Sequence, residues 1–171
     1  VRDGGIRGAV LHLKHLRRLE IAPTGQVKAG GGLPLMTLIR ATTAQGLAGL
    51  EALAGIPGTV GGGVAMNAGA GGQQLADVVE SATLLGTTGE TIWSRERLQF
   101  GYRRSALAGE WILVEADLGF RRDSAARLAE IVRQRLAQRR AAQQVGGPNA
   151  GSVFRNPPEQ PAWKLIEQAG L

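Results

Sequence analysis

The sequence predicts an α+β fold, and three observations carry that prediction. Short runs of alternating apolar and polar residues open the chain, longer strand-like runs follow in its middle, and helical patterns stand between and after them. The order lacks the regular strand–helix–strand rhythm of a doubly wound sheet. The glycine-rich run at 55–72 also lacks the strand–GxGxxG–helix setting of a dinucleotide-binding unit, and no Walker lysine accompanies it.

In chain order, Ala9–Leu13 and Leu19–Ala22 alternate as short half-buried strands do, and Gln26–Ala29 extends the meander after a Thr24-Gly25 turn. Pro34 suits the start of a helix that runs to about Gln45, with Leu35, Leu38 and Ile39 on one face and Gly46 placed as its C-cap. Leu47–Leu53 reads as another short helix leading into the glycine-rich run. Beyond it, Val78–Leu85 and Trp111–Phe120 have strand character, strongest at Trp111–Ala116. Asp123 is placed to N-cap a long helix reaching about Gln144, with Leu128, Ile131, Val132 and Leu136 at helical spacing. Gly146-Gly147-Pro148-Asn149 breaks that pattern, and Ser152–Phe154 is a candidate short strand. Pro161–Ala169 returns to helix, with Trp163, Leu165 and Ile166 expected to face inward. No internal repeat is visible.

A chain of 171 residues suits one ordinary domain or two small ones, and its apolar fraction of 43% supports a packed core. The absence of cysteine excludes disulfides and thiolate metal sites, and two histidines, His12 and His15, exclude a His-rich metal site. No apolar run reaches membrane-spanning length and no signal peptide opens the chain, so the cytoplasm is the expected location and no membrane partner is expected. The opening Val1-Arg2-Asp3-Gly4-Gly5 reads as a turn entered from upstream. Gly170-Leu171 follows a helical pattern with no closing element, so a piece of a longer protein is expected. The net charge of +6 suits an anionic partner, either nucleic acid or a phosphorylated small molecule. Seven arginines fall between Arg121 and Arg140 on one helical pattern, where the plainer reading is a solvated helix face.

Three segments carry the chemistry. In Gly55-Ile56-Pro57-Gly58-Thr59-Val60-Gly61-Gly62-Gly63-Val64-Ala65-Met66-Asn67, glycines allow positive φ and close approach of backbone N–H groups to a ligand. Pro57 stiffens the entry, and interleaved Ile56, Val60, Val64 and Met66 argue against a flexible linker. Asn67 brings a side chain that both donates and accepts. Phe100-Gly101-Tyr102-Arg103-Arg104-Ser105 pairs a phenol with two guanidinium groups, the side chain best suited to carboxylate or phosphate. Ala150-Gly151-Ser152-Val153-Phe154-Arg155-Asn156-Pro157 places a small hydroxyl beside glycine, then a cation and an amide; a structural turn accounts for it equally well.

In this order, with VRDGGIRG at 1–8 and WKLIEQAGL at 163–171, the segments resemble the UDP-N-acetylenolpyruvoylglucosamine reductases along the whole chain. The resemblance implies that residues 1–120 are the second part of an FAD-binding fold of the vanillyl-alcohol-oxidase type and that 121–171 are the beginning of a substrate-binding domain. It implies FAD and NADPH as cofactors and UDP-N-acetylglucosamine enolpyruvate as the substrate, reduced to UDP-N-acetylmuramate for peptidoglycan. It implies that Ile56, Pro57, Gly58, Thr59, Gly61, Gly62 and Asn67 bind the cofactor and that Tyr102, Arg155 and Asn156 bind substrate. It further implies that Arg103 stabilises the charge built by hydride addition and that Ser152 donates the proton. No metal is implied. Gly71 stands where many relatives carry Tyr, Arg104 where the residue is often acidic, and Arg155 where it is often Lys. Two other readings stand beside this one: another FAD oxidoreductase of the same fold, and a basic nucleic-acid-binding module, against which the scarcity of aromatics weighs.

Overall fold

The computed structural model describes residues 4–107, 109, 111–142 and 154–171. The chain divides into two compact units, Val1–Arg139 and Arg140–Leu171. In the first unit, strands β1 (Leu19–Ile21) and β2 (Gln26–Gly30) precede helix α1 (Leu35–Ala44). Strand β3 (Leu47–Ala48) and a 3-10 turn at Glu51–Leu53 lead to helix α2 (Val60–Ala65). A minimal hairpin of β4 (Gly69–Ala70) and β5 (Gln73–Gln74) is followed by a 3-10 turn at Leu75–Asp77 and the hairpin β6 (Val79–Gly86) and β7 (Gly89–Ser94). Strands β8 (Ile112–Gly119) and β9 (Arg121–Arg122) then lead into helix α3 (Ala125–Ala142).

Five of these strands form one antiparallel sheet in the order β1-β2-β8-β6-β7. Its inner face presents Val27, Ala29, Ala82, Leu84, Ala116 and Leu118 to α1 and α2, where Leu35, Leu38, Ile39, Val60 and Val64 are equally buried. The outer face is polar: Lys28 lies opposite Asp117 with Nζ 2.5 Å from the carboxylate, and Ser81 Oγ donates to the same side chain at 2.9 Å. That carboxylate holds the Lys28 ammonium above its ordinary pKa. One buried and one charged face is the expected division of an antiparallel sheet. Register shifts between Val79 and Ser81 and between Thr83 and Leu84 insert bulges at Glu80 and Val114, which explains why the buried positions change parity along β6 and β8.

The segment Gly30-Gly31-Gly32 connects this sheet to the site. A Cβ on Gly31 would stand 2.0 Å from the Leu113 carbonyl oxygen, and one on Gly32 would stand 1.8 Å from that of Leu13. Only glycine lets the chain pass there. Gly31 N–H donates to the bulged Val114 carbonyl at 2.8 Å, and its own carbonyl accepts from Gly61 at 2.8 Å. Leu33 O accepts Val60 N–H at 2.8 Å, and Leu35 N–H donates to Gly58 O at 3.0 Å. The glycine-rich loop is thereby moored to the sheet.

Several sequence expectations change. Residues 9–13 are not a strand: Val10 and Leu11 are exposed, and the segment crosses Gly32 without a strand partner. Leu47–Leu53 is not one helix, because Gly49 takes φ 147°; β3 instead pairs with β9. Within the glycine-rich run, the six residues of α2 are helical, capped by Thr59 and held by buried Val60 and Val64, so tertiary packing overrides low propensity. Strand β7 was not expected at all. Helix α3 is capped by Ser124 rather than Asp123: Ser124 Oγ accepts Arg127 N–H at 3.4 Å, while Asp123 pairs with the Arg127 guanidinium at 3.0 Å. Gly46, at φ 67°, ends α1 as expected.

The second unit contains helix α4 (Ala162–Gln168), and Asn156 Oδ1 accepts Ala162 N–H at 3.0 Å at its start. No residue of α4 is buried; Trp163, Leu165 and Ile166, expected to face inward, are exposed. Of the candidate strand Ser152–Phe154, only Phe154 lies among the described residues.

Candidate functional site

The turn after Phe100 is closed by two bonds, Gly101 N–H to Arg104 O at 3.0 Å and Arg104 N–H to Gly101 O at 3.3 Å. Arg103 sits at its tip with φ 55°, a left-handed conformation that is uncommon and costly for a side chain of this kind. The geometry turns Arg103 inward. Its Nη2 donates to Gly69 O at 3.0 Å, and the guanidinium carbon lies 5.4 Å from the centroid of the Tyr102 ring. Arg104 instead folds across Gly101, where a Cβ would meet its Nε at 2.6 Å. The following Ser105 anchors the turn: its hydroxyl donates to Ala65 O, the last residue of α2, at 2.9 Å.

Asn67 organises the floor. It is 3% exposed, and every polar atom of its side chain is engaged within the protein. Nδ2 donates to Gln74 Oε1 at 2.9 Å and to Gly101 O at 3.1 Å, while Oδ1 accepts Ala76 N–H at 3.0 Å. One amide therefore ties α2, the β4–β5 hairpin and the arginine turn together. These parts enclose an open cavity of about 380 Å³ lined by Asn67, Gly69–Gln74, Tyr102 and Arg103. A guanidinium with one of its five donors spent on Gly69 stands in that wall with donors to spare, which suits an anionic group.

The Arg135 guanidinium of α3 lies over Gly71, 3.2 Å from where a Cβ would stand. The Arg139 side chain lies over Gly55, its Cδ 2.9 Å from where a Cβ would stand. Elsewhere on α3, Arg127 and Arg133 pair with Asp123 and Glu130; of the arginine cluster only Arg139 is half-buried and the others are exposed, in keeping with a solvated face.

A second cavity of about 250 Å³ is lined by Thr59, Gly61, Gly62 and Ala65 on one side and by Leu11, Leu13, Leu107 and Trp111–Leu113 on the other. Its walls are mainly apolar, as a planar aromatic ligand requires. Pro57, Gly58 and Thr59 are exposed beside it. The N–H groups of Gly58 and Thr59 have no partner among the described residues, whereas those of Ile56, Val60 and Gly61 are spent on Leu53, Leu33 and Gly31. A Cβ on Gly58, where φ is 130°, would meet nothing within 4 Å. Two free donors on an exposed, moored loop fit a phosphate-bearing cofactor.

The structure thus gathers Asn67, Tyr102 and Arg103 at one cavity and Thr59, Gly61 and Gly62 at another, with Ile56, Pro57 and Gly58 on the loop leading to the second. Arg155 and Asn156 belong to the second unit and are exposed there. Ser152 lies outside the described residues. Sequence reasoning missed Glu51, Gln73 and Gln74, whose partners lie up to 22 residues away and leave no local pattern. No group of three metal-ligating side chains occurs among the described residues, and no described helix is long and apolar enough to cross a membrane.

Comparison with known proteins places this geometry. Residues 1–95 match the family described as FAD binding domain, and residues 140–171 match the C-terminal domain of UDP-N-acetylenolpyruvoylglucosamine reductase. The UDP-N-acetylenolpyruvoylglucosamine reductase of Syntrophotalea carbinolica is 53% identical over all 171 residues, and that of Geobacter sulfurreducens is 45% identical over the same length. The chain spans 57% of the length of each. The crystal structure of the Thermus caldophilus UDP-N-acetylenolpyruvylglucosamine reductase superposes with a TM-score of 0.73 at 33% identity, covering 84% of this chain and 53% of that one. An FAD binding domain matched over more than half of the sequence, reductase relatives aligned along all of it and the same fold in a solved reductase lead to one conclusion: the chain belongs to the UDP-N-acetylenolpyruvoylglucosamine reductase family.

Proposed function

We propose that the protein carrying this chain reduces UDP-N-acetylglucosamine enolpyruvate to UDP-N-acetylmuramate at the expense of NADPH, in the cytoplasm, for peptidoglycan precursor synthesis. The observation that carries the reading is Arg103, held in a left-handed turn with its head group fixed in a cavity wall. Bound FAD would supply the hydride-transfer chemistry that links NADPH to the enolpyruvyl double bond. The donors of Gly58 and Thr59 would hold its phosphates, and the cavity beside Gly61 and Gly62 would exclude water from its ring.

Hydride addition loads negative charge onto the carbon bearing the substrate carboxylate. A preorganised guanidinium stabilises that charge without reorganising during the reaction. Arg103 is assigned this role, with Tyr102 restraining its plane. The carbanion-like centre is a strong base, so a hydroxyl such as that of Ser152 suffices as proton donor. Arg155 neutralises substrate phosphate, and Asn156 supports that contact. The substrate domain is assigned from residue 121 onward.

The test is chemical. The full-length protein, incubated with NADPH and UDP-N-acetylglucosamine enolpyruvate, should consume one reductant for each UDP-N-acetylmuramate detected by mass. Rapid NADPH oxidation with no such product would refute the assignment.

A further inference from the structure

Glu51 is the only charged side chain among the described residues that is buried, at 3% exposure, and no cation lies within salt-bridge distance of it among them. Burying an unpaired acid is unfavourable unless its oxygens are satisfied. Here both are. Oε1 accepts Gly49 N–H at 2.7 Å, and Oε2 accepts Gln73 Nε2 at 2.6 Å. Gln73 completes the ring by accepting Ala52 N–H on its own Oε1 at 2.7 Å. Two side chains thus clamp the 49–52 backbone to strand β5.

What the clamp holds matters more than its own stability. Gln73 pairs with Ala70, and Gln74 pairs with Gly69, whose carbonyl receives the Arg103 guanidinium at 3.0 Å. The hairpin therefore has two anchors on β5, Gln73 on Glu51 and Gln74 on Asn67, and Arg103 is docked on the paired strand β4. A two-residue ladder is too short to keep a carbonyl in place unaided. We propose that Glu51 is a positioning residue: through Gln73 it sets the Gly69 carbonyl, and through that carbonyl the place of the Arg103 head group. This rests on the role given to Arg103 under the proposed function.

The polarity of the ring supplies the test. In Glu51→Gln the new amide NH₂ faces that of Gln73, and flipping Gln73 only brings its NH₂ against Ala52 N–H. One donor always meets a donor. The exchanged pair, Glu51→Gln with Gln73→Glu, preserves every bond: the amide at 51 accepts from Gly49 and donates to the carboxyl at 73, which accepts from Ala52.

In the full-length holoenzyme, calorimetric titration with UDP-N-acetylglucosamine enolpyruvate should show affinity weakened about tenfold in Glu51→Gln, the equivalent of one lost hydrogen bond. NADPH-driven flavin reduction should stay within about twofold, and amide hydrogen exchange over residues 68–76 should quicken. The exchanged pair should restore affinity and exchange together. If Glu51→Gln does not accumulate, Gln73→Ala must show the same loss of affinity. The inference is overturned if melting temperature falls while affinity stays parental, or if the exchanged pair restores melting temperature but not affinity. A parent that binds none of this substrate sinks the proposed function instead, and the exchange rates over 68–76 then decide the positioning claim alone.

Discussion

Neighbouring glycines in the loop do different jobs. A Cβ on Gly61 would stand 2.9 Å from Gly31 O, so its small size serves backbone packing. Gly62 has ordinary helical φ, and a Cβ there would meet only Thr59 Oγ1 at 3.8 Å. Gly62→Ala should therefore raise the stability of the flavin-free protein by about 0.5–1 kcal/mol, the usual helical gain of alanine over glycine. If Gly62 faces the cofactor, the same change should weaken flavin retention. Gly61→Ala should lower stability outright. Chemical denaturation of the apoprotein beside flavin titration separates the two; a Gly62→Ala protein that is less stable would show that a packing constraint has been overlooked. The serine of the third motif is tested by Ser152→Ala, which should slow substrate reduction on the order of a hundredfold to ten-thousandfold while NADPH still reduces the flavin. Parental reoxidation by substrate would rule Ser152 out as the acid.

Elements were legible where sequence pattern and partner are both local. Helix α1 follows from Pro34, an apolar stripe and Gly46, all within one segment. Strands β6 and β8 follow from apolar runs long enough to survive their bulges. Residues 9–13 were misread because alternation specifies a face and not a partner strand, and here no strand pairs with them. Helix α2 was hidden because its reasons are tertiary: Val60 and Val64 in the core, and N–H bonds from Val60 and Gly61 to Leu33 and Gly31. The start of α3 lies one residue later than the sequence predicts, since Asp and Ser are both good caps and only the folded geometry tells them apart. Ser124→Ala should accordingly cost about 1 kcal/mol, measured by thermal denaturation of the full-length protein; an unchanged midpoint would return the cap to Asp123. In the sheet, Lys28 has a raised folded-state pKa from its hydrogen bond and attraction to Asp117. A raised lysine stabilises fully below its unfolded pKa of about 10.4, and that contribution is lost as pH climbs through the folded value. The melting midpoint should be insensitive to this pair at neutral pH and decline above about pH 10.4, with a shallower decline in Lys28→Met. Equal alkaline slopes for both proteins would show that the pair contributes nothing, as many exposed pairs do.

For the molecule as a whole, the core of the first unit supports two cavities joined by one short path of structure: the moored glycine loop, α2, and the turn that Ser105 and Asn67 fasten to it. Asn67, Tyr102 and Arg103, singled out by local motifs, line one cavity, while the Glu51–Gln73 support of the hairpin leaves no local pattern because its partners lie 22 residues apart. The second unit carries Arg155 and Asn156, and the chain spans 57% of its curated relatives, so chemistry has to be measured on full-length protein. The central claim is that Arg103 stabilises charge built during substrate reduction. Arg103→Lys keeps the charge but loses the planar fork, which can bond Gly69 O and a carboxylate at the same time. Rapid mixing should then show flavin reduction by NADPH at close to the parental rate, and reoxidation by UDP-N-acetylglucosamine enolpyruvate slowed on the order of a hundredfold, the usual cost of removing one transition-state donor. Equal slowing of both half-reactions, or parental reoxidation, would contradict the account.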